Sequence, residues 1–226
     1  MKTISYSKNP KNLSLSIFAF ILLAISFTSC SKDDSSNNVF AYVKVTNSAE
    51  ASAPQDFYID NTKVSGTAMA YGQSSDFISI GSGSHQAAFK NSATSTTDAT
   101  LSLTLAAGKF YSVFYVDGNS TTSYQDDRTA PQAGKARVRF INLSSALSSS
   151  VDFGASGGAK LASDIAYKAA STYYDVDAAT AFSLYASGSS SVLLDIPAGL
   201  QAGHIYTIYI SGAATATIVA HVVAEN

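Results

Sequence analysis

From residue 40 onward the chain alternates apolar and polar positions in short runs, broken by Gly, Asn, Asp, Ser and Pro. A period of two puts successive side chains on opposite faces of an extended backbone, so such runs read as half-buried strands. The pattern predicts strands near 40–47, 55–60, 63–70, 75–80, 84–90, 98–105 and 109–117. It predicts a second set near 136–142, 150–154, 159–166, 172–177, 181–187, 191–196 and 204–211, with a further strand near 214–223. No window reads as a convincing helix. The segment 118–134 is polar, carries a proline and is bounded by glycines, which reads as a linker.

The two sets of strands are copies. Val43-Lys44-Val45-Thr46-Asn47 returns as Val138-Arg139-Phe140-Ile141-Asn142, Asp56-Phe57 as Asp152-Phe153, and Ala70-Tyr71 as Ala166-Tyr167. Ala107-Gly108-Lys109-Phe110-Tyr111-Ser112-Val113 returns as Ala202-Gly203-His204-Ile205-Tyr206-Thr207-Ile208. Four matches in one order at a spacing of 95 to 96 residues argue for duplication of a whole domain. Halves of this size suit small β-sandwiches.

Alternation also predicts burial. Tyr111, Val113 and Tyr115, with Tyr206, Ile208 and Ile210 as counterparts, are assigned to the cores, as are Val43, Val45, Val138 and Phe140. Lys44 and Arg139 then point to water. Tyr111 and Tyr206 follow an Ala-Gly turn and suit a tyrosine corner, in which the ring packs and the hydroxyl bonds a nearby backbone group. Phe110 and Phe114 fall on the opposite face, with Ile205 and Tyr209 at the corresponding places, so Phe110, Phe114 and Tyr209 form a candidate exposed aromatic face. Such a face is either a platform on which a glycan ring stacks or a surface covered by the sister domain or the C-terminal strand.

The N-terminus has the layout of a bacterial export signal: Lys2, Lys8 and Lys11, then the apolar run 17–25, then Ser26-Phe27-Thr28-Ser29-Cys30. The run is shorter than the roughly 20 residues that span a bilayer. The lone Cys30 after small residues resembles a lipobox and is the expected lipidation site; the other reading is a secretory peptide with an incidental cysteine. Acyl chains would bind membrane by about 0.8 kcal/mol per buried methylene. Residues 31–38 are too polar to pack and read as a flexible tether, and Lys32-Asp33-Asp34 resembles a signal for export to the cell surface.

Composition narrows the chemistry. Fourteen basic against 16 acidic residues exclude an electrostatic nucleic-acid binder, and without the three leader lysines 11 oppose 16. One cysteine and three scattered histidines leave little for a metal centre. His85, His204 and His221 have no nucleophile elbow beside them. Asp126-Asp127 and Asp175-Val176-Asp177 are carboxylate pairs, but the adjacent Asp126 and Asp127 point apart on an extended chain, and Asp117-Gly118-Asn119 does not complete a calcium loop. No catalytic, cofactor or metal residue is expected.

The segments Val43–Asn47 and Val138–Asn142, Asp56–Asp60, Ala70-Tyr71-Gly72 and Ala107–Val113 resemble domain of unknown function 4397. That resemblance implies immunoglobulin-like sandwiches in tandem on bacterial surface lipoproteins, and it supplies no catalytic or ligand residue. Residues 176–180 depart from the Gly-containing turn usual there. The expectation is therefore an all-β chain with a signal peptide at 1–29, a tether at 30–38, a first sandwich at 39–117, a linker at 118–134 and a second sandwich at 135–226. Its expected role is a non-enzymatic display, adhesion or interaction module at the outer membrane, exposed at the cell surface and meeting an unknown protein or glycan partner. The alternative is a carbohydrate-binding accessory lipoprotein of a polysaccharide-uptake system.

Overall fold

The structure, a computed structural model, describes Thr3 and residues 39–225. Cys30 and the tether lie outside the described residues, as does the leader apart from Thr3. The first repeat contains β1 (Phe40–Asn47), β2 (Gln55–Ile59), β3 (Thr62–Lys63), β4 (Ile78–Gly81), β5 (Gly83–Asn91), β6 (Thr97–Leu105), β7 (Phe110–Val116) and β8 (Ser120–Asp126). The second contains β9 (Lys135–Asn142), β10 (Val151–Ala155), β11 (Lys160–Ile165), β12 (Ala169–Asp177), β13 (Phe182–Ala186), β14 (Val192–Ile196), β15 (Ile205–Ser211) and β16 (Val219–Ala224). Among the described residues the one helical element is a 3₁₀ turn, Thr215–Thr217. The chain is all-β, as its alternation predicts.

Each repeat is a sandwich of two four-stranded sheets with the same strand order. β4-β1-β7-β8 faces β3-β2-β5-β6 in the first, and β12-β9-β15-β16 faces β11-β10-β13-β14 in the second. In both, the opening strand runs parallel to the seventh, β1 with β7 and β9 with β15, while the other pairings are antiparallel. Strand ends are set by local chemistry. Asp60 and Asn61 carry φ of 47° and 66°, the left-handed values that a two-residue hairpin between β2 and β3 requires and that these two residue types tolerate. Gly108 and Gly203 (φ 72° and 85°) turn the chain into β7 and β15.

The tyrosine corners are present twice. The Ala106 N–H donates to the Tyr111 hydroxyl at 3.0 Å, and the Gln201 N–H donates to the Tyr206 hydroxyl at 3.0 Å. The repeated Asn at the end of the opening strand is a second shared device. Asn47 donates to the Met69 carbonyl and accepts from the Ala49 N–H, and Asn142 does the same with the Ile165 carbonyl and the Ser144 N–H. Each clamp satisfies backbone groups that would otherwise be buried without partners.

Each sandwich has its own core. Val43, Val45, Phe57, Phe89, Val113 and Tyr115 anchor the first, and Val138, Phe140, Phe153, Phe182, Ile208 and Ile210 the second. Phe140, Phe153 and Phe182 stack in series at 4.6 and 4.9 Å between ring centres.

Three sequence expectations change. The linker at 118–134 holds β8, which pairs with β7 from Phe110↔Asp126 to Val116↔Ser120, so the connection between repeats is 127–134. Ser120-Thr-Thr-Ser-Tyr-Gln-Asp has no apolar alternation, yet its β-prone Thr and Tyr complete the sheet. The strand expected at 63–70 shrinks to Thr62–Lys63, with Met69 making an isolated bridge to Gln55. The strand expected at 214–223 divides into the 3₁₀ turn and β16.

Candidate functional site

The sheets β4-β1-β7-β8 and β12-β9-β15-β16 are the inner pair: their faces that look away from their own cores pack on one another, and the described residues 39–225 fall in a single compact unit. Strand parity decides which side chains reach this seam. Phe114 and Val116 from β7, Ile141 from β9, Leu143 beyond it and Tyr209 from β15 form a third apolar cluster, joined by Tyr124, Ala170 and Val223. Phe114 meets Tyr209 edge to face at 5.4 Å. The candidate exposed aromatic face is thus corrected at two of its three members: Phe114 and Tyr209 are buried against the sister repeat. The covered reading of that face is the one the structure shows.

Phe110 stays half-buried at the rim. It stacks on Tyr42 at 4.7 Å, meets Phe77 edge-on at 5.1 Å and lies under the Arg128 guanidinium at 4.8 Å. A cleft of about 410 Å³ opens here, lined by Lys109, Phe110, Gln125, Asp127 and Arg128 among others.

Charge lies in the seam as well, which overturns the expectation that Lys44 and Arg139 face water. Arg139 is 2% exposed and donates from Nη2 to Asp126 at 2.7 Å, to Thr207 at 2.8 Å and to Ser112 at 3.2 Å. The Ser112 hydroxyl adds a bond to the Asp126 carboxylate. Lys44 donates to the Ala224 carbonyl at 2.6 Å, and its ammonium is 3.8 Å from Glu225. Arg128 donates to the Glu225 carbonyl. Burial, then the nearby Asp126 charge, raises the Glu225 pKa above the usual carboxylate range.

The remaining titratable candidates are engaged. Asp127, Asp175 and Asp177 pair with Arg137, Arg137 and Lys135, and the Thr129 side chain and N–H hold the Asp127 pKa down at about 2. Asp117 accepts from the Glu50 N–H and from Ser145, and Asn119 from Tyr115. Among the described residues no group of three His, Cys, Asp or Glu side chains is placed to hold a metal ion. His85 bridges Asp60 and the Gly81 carbonyl at 2.7 and 2.8 Å, and the Asp60 bond raises its pKa. His204 lies beside the Tyr206 ring. His221 reaches Ser211 at 2.9 Å, and Ser211 in turn meets the Tyr71 hydroxyl at 2.7 Å. That Ser–His pair has the partners of a nucleophile and base, but Ser211 is fully buried, so no substrate can approach its oxygen. Desolvation lowers the His221 pKa and keeps the ring neutral.

The family described as Domain of unknown function (DUF4397) matches residues 41–153, half of the chain. The chain belongs to this family. The match runs from within β1 of the first sandwich into β10 of the second. A solved structure similar to the chain is the carbohydrate-binding module CBMbc, of family CBM26, from Eubacterium rectale Amy13K in complex with maltoheptaose. It is 11% identical, with 80% of this chain and 96% of that one covered, at a TM-score of 0.29. No curated protein matches the chain. No helix among the described residues is long and apolar enough to cross a membrane.

Sequence reasoning missed the seam's acids. Asp126 was visible only as half of a surface pair and Glu225 not at all. The signal that could have found them is the unexplained basic residue at the same place in both opening strands, since a base fixed at equivalent positions asks for two equivalent acids.

Proposed function

We propose that this DUF4397 chain is a non-enzymatic lipoprotein, held by acyl chains on Cys30 at the bacterial outer membrane and facing outward, whose two sandwiches act as one rigid display or interaction body. The observation that carries the reading is the seam. Two domains on a loose string would leave Phe114, Tyr209 and Arg139 in water, whereas here they are buried between the repeats. A single stiff body on a tether presents its far surfaces at a fixed separation and orientation, which suits a spacer or adhesion module. The engaged carboxylates and the inaccessible Ser211 support a role without turnover. Protease shaving of intact cells should release the 39–226 portion; its survival until lysis would place the protein on a periplasmic leaflet, and an unmodified Cys30 by mass analysis would remove the anchor.

A second reading, glycan binding, keeps one observation in its favour. The rim cleft sets the half-buried Phe110 ring, packed on Tyr42 and Phe77, beside the polar Lys109, Gln125, Asp127 and Arg128, the mixture of aromatic and polar groups that sugar sites use. A glycan array with the 39–226 body tests it. Selective binding that Phe110→Ala abolishes supports this reading, and silence across the array leaves the first.

A further inference from the structure

The seam repeats itself when the two sandwiches are exchanged. An offset of 95 residues relates β1 to β9 and β7 to β15, making Lys44 the counterpart of Arg139, Ser112 of Thr207 and Phe114 of Tyr209. The turn before the last strand is longer in the second repeat, 212–218 against 117–119, so the offset then becomes 99. Register settles the last pair. Asp126 lies opposite Phe110, and the Glu225 N–H donates to the carbonyl of Ile205, the counterpart of Phe110. Asp126 and Glu225 are therefore equivalent.

With that alignment the contacts become reciprocal. Lys44 of the first repeat approaches Glu225 of the second, and Arg139 of the second binds Asp126 of the first. Phe114 packs on its own counterpart, Tyr209. A two-fold isologous interface has this signature: residue i meets j, j meets i, and the residue on the axis meets itself.

We infer that the outer face of each inner sheet is a self-complementary docking surface for another repeat of the same kind, and that the seam is a homodimer interface made covalent through residues 127–134. The partner such a face takes is a second sandwich with a base on its opening strand and an acid at the end of its last strand. Every pairing sets a base against an acid. Two first repeats set Lys44 against Asp126 twice, two second repeats set Arg139 against Glu225 twice, and the mixed pair sets Lys44 against Glu225 and Arg139 against Asp126.

The test cuts the chain after it has folded. A site-specific protease sequence inserted between Gln132 and Ala133 is cleaved in the folded protein, and the products are weighed by native mass spectrometry. Mixed pairs should remain as the main particle after cleavage, with first-first and second-second pairs growing in as subunits exchange. Arg139→Asp in the same cut protein sets an acid against Asp126 in the mixed pair and against Glu225 in both halves of the second-second pair, and leaves the first-first pair untouched. Mixed particles should then fall at least tenfold while first-first pairs become the main dimer. Arg139→Gln, which introduces no charge, should shift the populations the same way by less. Separation of the wild-type halves into single sandwiches, or loss of mixed pairs in Arg139→Asp without any gain of first-first pairs, would overturn the inference.

Discussion

The Arg139–Asp126 and Lys44–Glu225 contacts occupy equivalent positions, yet only one of them is complete. Arg139 offers a planar fork that serves Asp126, Thr207 and Ser112 together, with the Tyr173 and Tyr124 rings 5.0 and 5.7 Å from the guanidinium carbon. Lys44 is a point charge that spends its short bond on the Ala224 carbonyl and its face on the Phe77 ring, leaving Glu225 Oε2 buried at 3.8 Å without a hydrogen bond. Fold symmetry thus delivers a base and an acid to both places, and side-chain geometry decides whether their desolvation is offset.

The largest expected difference comes from removing the two bases in turn. Arg139→Met strands the fully buried Asp126 carboxylate and should cost about 3–5 kcal/mol, read as a lower urea midpoint at constant slope. Lys44→Met removes one bond to a backbone carbonyl and a distant ion partner, and about 1–2 kcal/mol is expected. Equal losses at the two places would break the comparison.

Glu225→Gln should act in the opposite direction. A carboxyl whose pKa is raised on folding holds its proton more tightly in the folded state, so its ionisation costs stability as the pH rises past its ordinary value of 4.5. The variant should therefore melt higher than wild type at pH 8, with the gain vanishing below about pH 4.5, where the side chain is neutral in both states. A lower melting temperature at pH 8 would mean that Lys44 and Arg139 stabilise the carboxylate more than burial destabilises it.

The seam shows where legibility stops. Alternation placed Val113 and Ile208 in their cores because a strand's period of two needs no knowledge of other elements. The same period set Phe114, Tyr209, Lys44 and Arg139 on the second face without saying what covers it. Lysine and arginine are rarely buried unless paired, so exposure was the reasonable expectation. Their partners stand 13 residues away in a strand with no apolar pattern and 181 residues away at the end of the chain.

What the sequence determines by itself is local or periodic: most strand positions, the duplication, the inward faces, and the Gly turn and Tyr corner that lead into the seventh strand of each sandwich. These follow from backbone sterics, side-chain parity and hydrogen bonds spanning a few residues. What only the tertiary structure decides is that the two sandwiches share a buried charged seam and that the polar segment after β7 is its eighth strand. Burial of a second sheet face depends on which surface arrives against it, and no period within one strand encodes that surface.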